Sequence, residues 1–255
     1  MGRGRRPDDD RRREVEPNMT RVLIVLTGAK VWTMKNGFPH PTGFWAEEFI
    51  RPHGTFTAAG LDVSIATPLG VAPTPDPLSL SVQYYSEDQI SEQQAYLEKL
   101  TDEFASTLKL EDIRSADWDV VFQVGGHGPM QDLAVHPTVG QLYAEVLADE
   151  KKILAAVCHG PAAFLSAHLP DGTWLMKGRR LTAFSNEEEN QASFAGNAPW
   201  LLEDRLRLAG ALYEAAPPWT PNAVVDENLI TGQQQKSAGA AANEVLKKLG
   251  LPAGH

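Results

Sequence analysis

Short apolar runs alternate with longer amphipathic ones along most of the chain. Val22 to Leu26, Val63 to Ala66, Val120 to Val124, Ile153 to Val157, Arg180 to Phe184 and Leu229 to Thr231 each hold four or five mostly apolar residues or fewer, the length and composition of buried parallel strands. Between them, Glu87 to Leu108 places Ile90, Leu97, Leu100, Phe104 and Leu108 at roughly helical spacing, and Thr138 to Ala148, Pro199 to Leu208 and Lys236 to Leu249 read the same way. Proline-rich stretches at 68–77 and 217–221 offer too few backbone donors for a ladder and are expected as loops. Alternating strands and helices predict a parallel sheet covered on both faces. In such a sheet ligands gather at the carboxyl ends of the strands, so the residues just after each strand carry the candidate chemistry.

Three strand ends stand out. Val157 is followed by Cys158-His159-Gly160-Pro161, Val124 by Gly125-Gly126-His127-Gly128-Pro129, and Phe184 by Ser185-Asn186-Glu187-Glu188-Glu189. Cys158 is the only cysteine of the chain. Gly160-Pro161 suits a tight turn into a helix, whose free N–H groups and dipole favour a thiolate at the preceding residue. A lone cysteine is ordinarily a small buried hydrophobe; the His-Gly-Pro context makes this one a candidate nucleophile. Gly125-Gly126 allows amides to turn toward a pocket as an oxyanion hole. An acidic triplet is ordinarily a solvated helix start. Cysteine, imidazole and carboxylate are nevertheless expected at one sheet edge.

Composition narrows the field. At 42% apolar, 255 residues support a sizeable core, and residues 19–255 are read as a single domain. One cysteine excludes an internal disulfide framework and fits a reducing compartment, with cytoplasm as the expected location. The formal net charge of -10 argues against nucleic acid or an anionic membrane as principal partner. No apolar run reaches the roughly 18 residues of a membrane span. Residues 1–18 are charged and almost without apolar content, so a disordered tail is expected there, with Met19 a candidate start. No H-x-x-x-H or H-x-H spacing supports zinc, so neither metal nor cofactor is expected. Trp45 and Trp219 are read as packing residues in segments that can wall a pocket, and His127 as a residue of the glycine turn that can line the pocket, with a backbone role favoured over that of general base.

These motifs, together with Thr42-Gly43-Phe44-Trp45-Ala46-Glu47-Glu48, resemble the ThiJ/PfpI superfamily over about Val22 to Leu249. Within it the chain is most similar to the branch of heat-shock chaperones and glutathione-independent glyoxalases (glyoxalase III, D-lactate dehydratase). The resemblance implies a flavodoxin-like three-layer α/β sandwich with a mainly parallel central sheet and a cysteine nucleophile elbow. It implies a triad of Cys158, His159 and Glu189, with Glu48 against the thiol and a homodimeric assembly. Choosing Glu189 over Glu187 or Glu188 rests on family register; spacing leaves the three open. The implied reaction converts methylglyoxal or a related 2-oxoaldehyde, a small aldehyde, to a 2-hydroxy acid. Cys158 forms a hemithioacetal whose oxyanion the Gly126 and His127 amides hold, and His159, oriented by Glu189, moves the protons. A holdase chaperone, a protein deglycase and a cysteine peptidase of the same superfamily are the alternatives. An amidotransferase is disfavoured, because no histidine has Glu two residues on. One departure touches the pocket rim: relatives carry Asn-Pro-Ala-Ser after Thr-Gly-Gln, where this chain reads Thr231-Gly232-Gln233-Gln234-Gln235-Lys236-Ser237.

Overall fold

The computed structural model describes residues 19–254, so the charged segment 1–18 lies outside the described residues. Seven strands form the central sheet: β1 (Arg21–Val25), β2 (Asp62–Thr67), β3 (Leu108–Lys109), β4 (Val120–Gln123), β5 (Ile153–Val157), β6 (Ala223–Asp226) and β7 (Leu229–Gly232). Their spatial order is β6-β7-β5-β4-β1-β2-β3, and every pairing is parallel except the β6–β7 hairpin.

Strand residues alternate between two cores. Val22, Ile24, Phe122, Ala155 and Val157 face helices α1 (Ala46–Ala58) and, near the C-terminus, Ala238–Lys248. Leu23, Val25, Val121, Leu154 and Ala156 face the opposite layer, with Val139, Tyr143 and Val146 of Pro137–Leu147 and Leu202 and Leu206 of Leu202–Ala209. Three layers result, with apolar residues on both faces of each central strand, as a doubly covered parallel sheet requires. Among the described residues no helix is long and apolar enough to cross a membrane.

Two expectations are corrected. Arg180 to Phe184 is not a central strand: only Arg180–Leu181 is extended and paired, and it joins Leu212–Tyr213 in a separate two-stranded sheet. The edge it would have occupied is taken by β6, which the two-residue turn at Glu227-Asn228 folds back onto β7. Residues 182–184 are fastened to the sheet instead by Thr182 N–H donating to Thr231 Oγ1 (2.9 Å) and Phe184 N–H donating to the Cys158 carbonyl (2.9 Å). The long helix expected over Glu87 to Leu108 is broken into Glu87–Glu98 and Thr101–Ala105 at Leu100, whose φ of -102° and ψ of 13° leave the helical region, and Leu108 starts β3. Both Leu97 and Leu100 are buried, so the break keeps the apolar stripe on the core.

Candidate active site

Cys158 follows β5 directly. Its backbone is pinned by its own N–H donating to the Gly232 carbonyl (2.9 Å), and its φ is +59°, the left-handed region. For a residue with a Cβ this conformation costs roughly 1–3 kcal/mol and persists only where the surroundings enforce it. It lifts the side chain out of the strand end toward the β4 turn. The segment after it is a single 3-10 helix, Gly160–Ser166. A run of seven residues has little aligned dipole, so the macrodipole expected to favour the thiolate is mostly missing. Individual amides replace it, those of Gly126 and His159 acting on the sulfur.

The β4 turn needs glycine at both positions. Gly126 has a φ of +87°, and a Cβ on Gly125 would stand 2.6 Å from Glu48 Oε2 and 2.8 Å from the Cys158 Cβ. Gly125 thus lets the Glu48 carboxyl and the nucleophile approach the same spot. Glu48 sits in the first turn of α1, fully buried; Oε2 accepts from the Gly125 N–H (3.0 Å), and Oε1 is buried without a hydrogen-bond partner. Its neighbour Glu47 points the other way, accepting from the Tyr85 hydroxyl (2.9 Å), which in turn accepts from Trp45 Nε1–H (2.7 Å). Burial pushes the Glu48 carboxyl well above the usual carboxylate range against the pull of Cys158 and the Gly125 amide. Burial, then the Glu48 charge, pushes the Cys158 thiol up, against the Gly126 and His159 amides. Two anions cannot share this dry pocket, so the pair retains at least one proton.

Cys158 Sγ lies 3.3 Å from His159 Nδ1, and His159 Nε2 lies 2.6 Å from Glu189 Oε2. Glu189 comes from the short helix Asn186–Gln191, whose N-terminus is closed by reciprocal bonds: Glu188 N–H donates to Ser185 Oγ (3.2 Å), and Ser185 N–H to Glu188 Oε2 (3.0 Å). The three glutamates therefore have three fates. Glu187 is exposed, Glu188 is consumed by Ser185, Gln233 and the Trp219 amide, and Glu189 reaches the histidines. Burial alone would raise Glu189; the charges of His127 and His159 and hydrogen bonds from both outweigh it and hold the carboxyl far below its usual range. A standing carboxylate only accepts, so each bonded imidazole carries its hydrogen on Nε2. His159 Nδ1 then presents a lone pair to the thiol. Burial, and next the charge of His127, hold His159 below the ordinary imidazole value.

His127 was expected to act through its backbone; the structure places its side chain in the site. Its Nε2 lies 2.8 Å from Glu189 Oε1, and its ring stacks on Trp32 (4.4 Å, 10°) and stands 4.2 Å from the His159 ring. No sequence spacing signals this pairing, because 62 residues separate His127 from Glu189. For the same reason no metal-type spacing in the sequence marks His127, His159 and Glu189, whose ligand atoms lie within 4.8 Å of one another and could hold a metal ion.

Gly126, His127, Cys158 and His159 line a small cavity of about 20 Å³, with Trp45, Tyr84, Phe184, Phe194 and Trp219 as walls and Gln235 from the altered Thr-Gly-Gln-Gln-Gln run beside them. Trp219 holds a φ of +61°, secured by its N–H donating to Glu188 Oε1 (2.9 Å) and its Nε1–H to Gln191 Oε1 (2.6 Å). Tyr84 and Phe194 carry no chemical motif and were not foreseen as walls; Tyr84 meets Trp45 edge-on at 5.1 Å.

The DJ-1/PfpI family pattern matches residues 38–248. Glyoxalase 3 of Candida albicans is 26% identical over 240 residues, covering 89% of this chain and 98% of that protein. The crystal structure of glyoxalase III from the same organism superposes with a TM-score of 0.73 over 90% of this chain and 97% of that one, at 24% identity. A glutamine amidotransferase-like class 1 domain-containing protein of Bos taurus is 29% identical, covering 90% of this chain and 94% of its own. The protein/nucleic acid deglycase HchA of Staphylococcus aureus is 27% identical, covering 90% and 81%.

Proposed function

The chain belongs to the DJ-1/PfpI family, and from that premise we propose that it is a glutathione-independent glyoxalase, converting methylglyoxal or a similar 2-oxoaldehyde to the 2-hydroxy acid. The single observation that carries this reading is the enclosed line from Cys158 Sγ to His159 Nδ1 (3.3 Å) and from His159 Nε2 to Glu189 (2.6 Å). Cys158 attacks the aldehyde carbon C1, and its proton passes to His159 Nδ1. The oxygen on C1 becomes an oxyanion facing the Gly126–His127 turn. The C1 proton then moves to C2 through an enediol, which oxidises C1 and reduces C2 and leaves a thioester on the sulfur. Water cleaves the thioester, releasing the 2-hydroxy acid and the thiol. No external oxidant, reductant, metal or cofactor enters this balance.

Glu48 is assigned a proton of its own, distinct from the one that Cys158 passes to His159. Its Oε1 has no partner as an acceptor, whereas two amides act on the sulfur; a protonated Glu48 becomes a donor and lifts its charge from the thiol. Of the candidate substrates a small free aldehyde demands the least of the cavity: about 20 Å³ holds roughly one water, so even a three-carbon dicarbonyl enters only as a wall yields, and a glycated side chain on a polymer requires a larger displacement. The deglycase reading, favoured by the Staphylococcus aureus relative, is thereby second. The homodimer that the resemblance implies is tested by the mass in solution. Incubating the protein with methylglyoxal in the absence of glutathione and assaying 2-hydroxy acid tests the proposal; a protein that only prevents aggregation of a client forms none.

A further inference from the structure

Resting on the glyoxalase reading above, we propose that His127 is a second catalytic residue, the base that removes the carbon-bound proton at C1 and returns it at C2, while His159 serves the sulfur and oxygen protons. Glu189 offers one oxygen to each ring, Oε1 to His127 Nε2 (2.8 Å) and Oε2 to His159 Nε2 (2.6 Å). In the neutral form both rings are thereby fixed in the tautomer with hydrogen on Nε2 and a lone pair on Nδ1. His159 spends its lone pair on the thiol at 3.3 Å. His127 Nδ1 makes no hydrogen bond among the described residues, and the ring is part of the cavity wall beside Cys158. A histidine that merely packed against Trp32 would need no carboxylate to set its tautomer. The other titratable side chain of the wall outside this group, Tyr84, has its hydroxyl pushed up by burial and holds its proton.

The proton balance needs two groups. On attack His159 Nδ1 takes the thiol proton and is occupied as an acid. His127 Nδ1 removes the C1 proton as His159 delivers the thiol proton to the oxygen on C2, giving an enediol bearing one negative oxygen on C1. His127 then returns its proton to C2, the C1 oxygen re-forms a carbonyl, and the thioester results with both imidazoles neutral. Every proton is accounted for: the one from sulfur ends on the C2 hydroxyl, the one from C1 on C2.

Two readouts on the full chain separate this from a packing role: lactate formation from methylglyoxal, and alkylation of Cys158 by iodoacetamide, which needs His159 but not a carbon base. His127→Gln keeps a polar partner for Glu189; His127→Phe keeps the stack on Trp32 and decides the matter if the glutamine variant fails to fold. The expected result is a loss of about 100-fold or more in kcat, an alkylation rate within about twofold of wild type, and a larger kinetic isotope effect with C1-deuterated methylglyoxal because carbon deprotonation becomes limiting. His159→Gln instead slows alkylation and turnover together. Wild-type lactate formation with a His127→Gln variant of near-normal kcat overturns this inference alone, as does an equal fall in both readouts. No lactate from the wild-type protein overturns the glyoxalase reading and this assignment with it.

Discussion

At the scale of single residues, the site turns on where one proton rests and which atoms hold lone pairs. Glu48 and Cys158 share a dry pocket, and the sign of one experiment tells whether Glu48 is charged. If Glu48 is the neutral donor, Glu48→Leu removes a hydrogen bond from the sulfur and raises the pH at which Cys158 becomes alkylatable, by about one unit. A fall would mean that Glu48 is the anion. Glu47→Gln should leave the profile unchanged, because Glu47 faces Tyr85 and Arg51. The acidic triplet separates in the same way. His159→Ala is expected to lower kcat by about 10³-fold and Glu189→Gln by less, since the histidine transfers protons and the glutamate orients two rings. Glu187→Gln should be silent, while Glu188→Gln should lower the melting temperature through Ser185 and the Trp219 amide. Full activity in Glu189→Gln would remove the shared carboxylate from the mechanism. Cys158 and His159 were legible in the sequence because they follow a strand end, and the acidic helix because an apolar run precedes it. The role of the His127 side chain was not, since it depends on a ring orientation fixed by Trp32 and by a carboxylate 62 residues away.

At the scale of elements, the pattern of short apolar runs located β1, β2, β4, β5 and β7 to within a residue or two, because strands buried on both faces leave no room for polar interruption. It failed at the edges. β6 carries exposed and half-buried positions, and its partner is chosen by a two-residue turn; the run at 180–184 is as apolar as a strand but is excluded from an edge already filled. The pocket walls arise from just such irregular segments, Tyr84 before the helix Glu87–Glu98 and Trp219 in the proline loop. They are expected to set substrate size. Tyr84→Ala or Trp219→Ala should lower KM for an aryl 2-oxoaldehyde such as phenylglyoxal several-fold relative to methylglyoxal, without new chemistry. An unchanged ratio in both variants would mean that substrate does not pass between these rings.

At the scale of the whole molecule, buried histidines tie the fold to pH. Burial holds His53 and His159 below the ordinary imidazole value in the folded state. Below about pH 6.5 the unfolded chain therefore takes up protons that the folded one does not, and stability falls as pH drops from there. Glu189, held low by its two histidines, adds a further loss only below the usual carboxylate range. Glu48 works in the opposite sense: raised by burial, it contributes most at low pH and costs stability as pH rises through its folded value. Melting temperature should thus fall by a few degrees between pH 7 and pH 5; a flat profile over that interval would contradict the reading that uncharged buried imidazoles outweigh Glu48 there.

The account rests most heavily on Cys158 as the nucleophile for a free 2-oxoaldehyde. Its most direct test is D-lactate formation from methylglyoxal by the wild-type protein and by Cys158→Ser, without glutathione and with a chelator present. Steady lactate production by the wild type, undiminished by the chelator, and a loss of about 10³-fold or more in a folded serine variant are predicted, since a hydroxyl is far less ionised than a thiol near neutral pH. Near-equal lactate from the two proteins, or wild-type activity that vanishes with the chelator and returns with zinc, would contradict it.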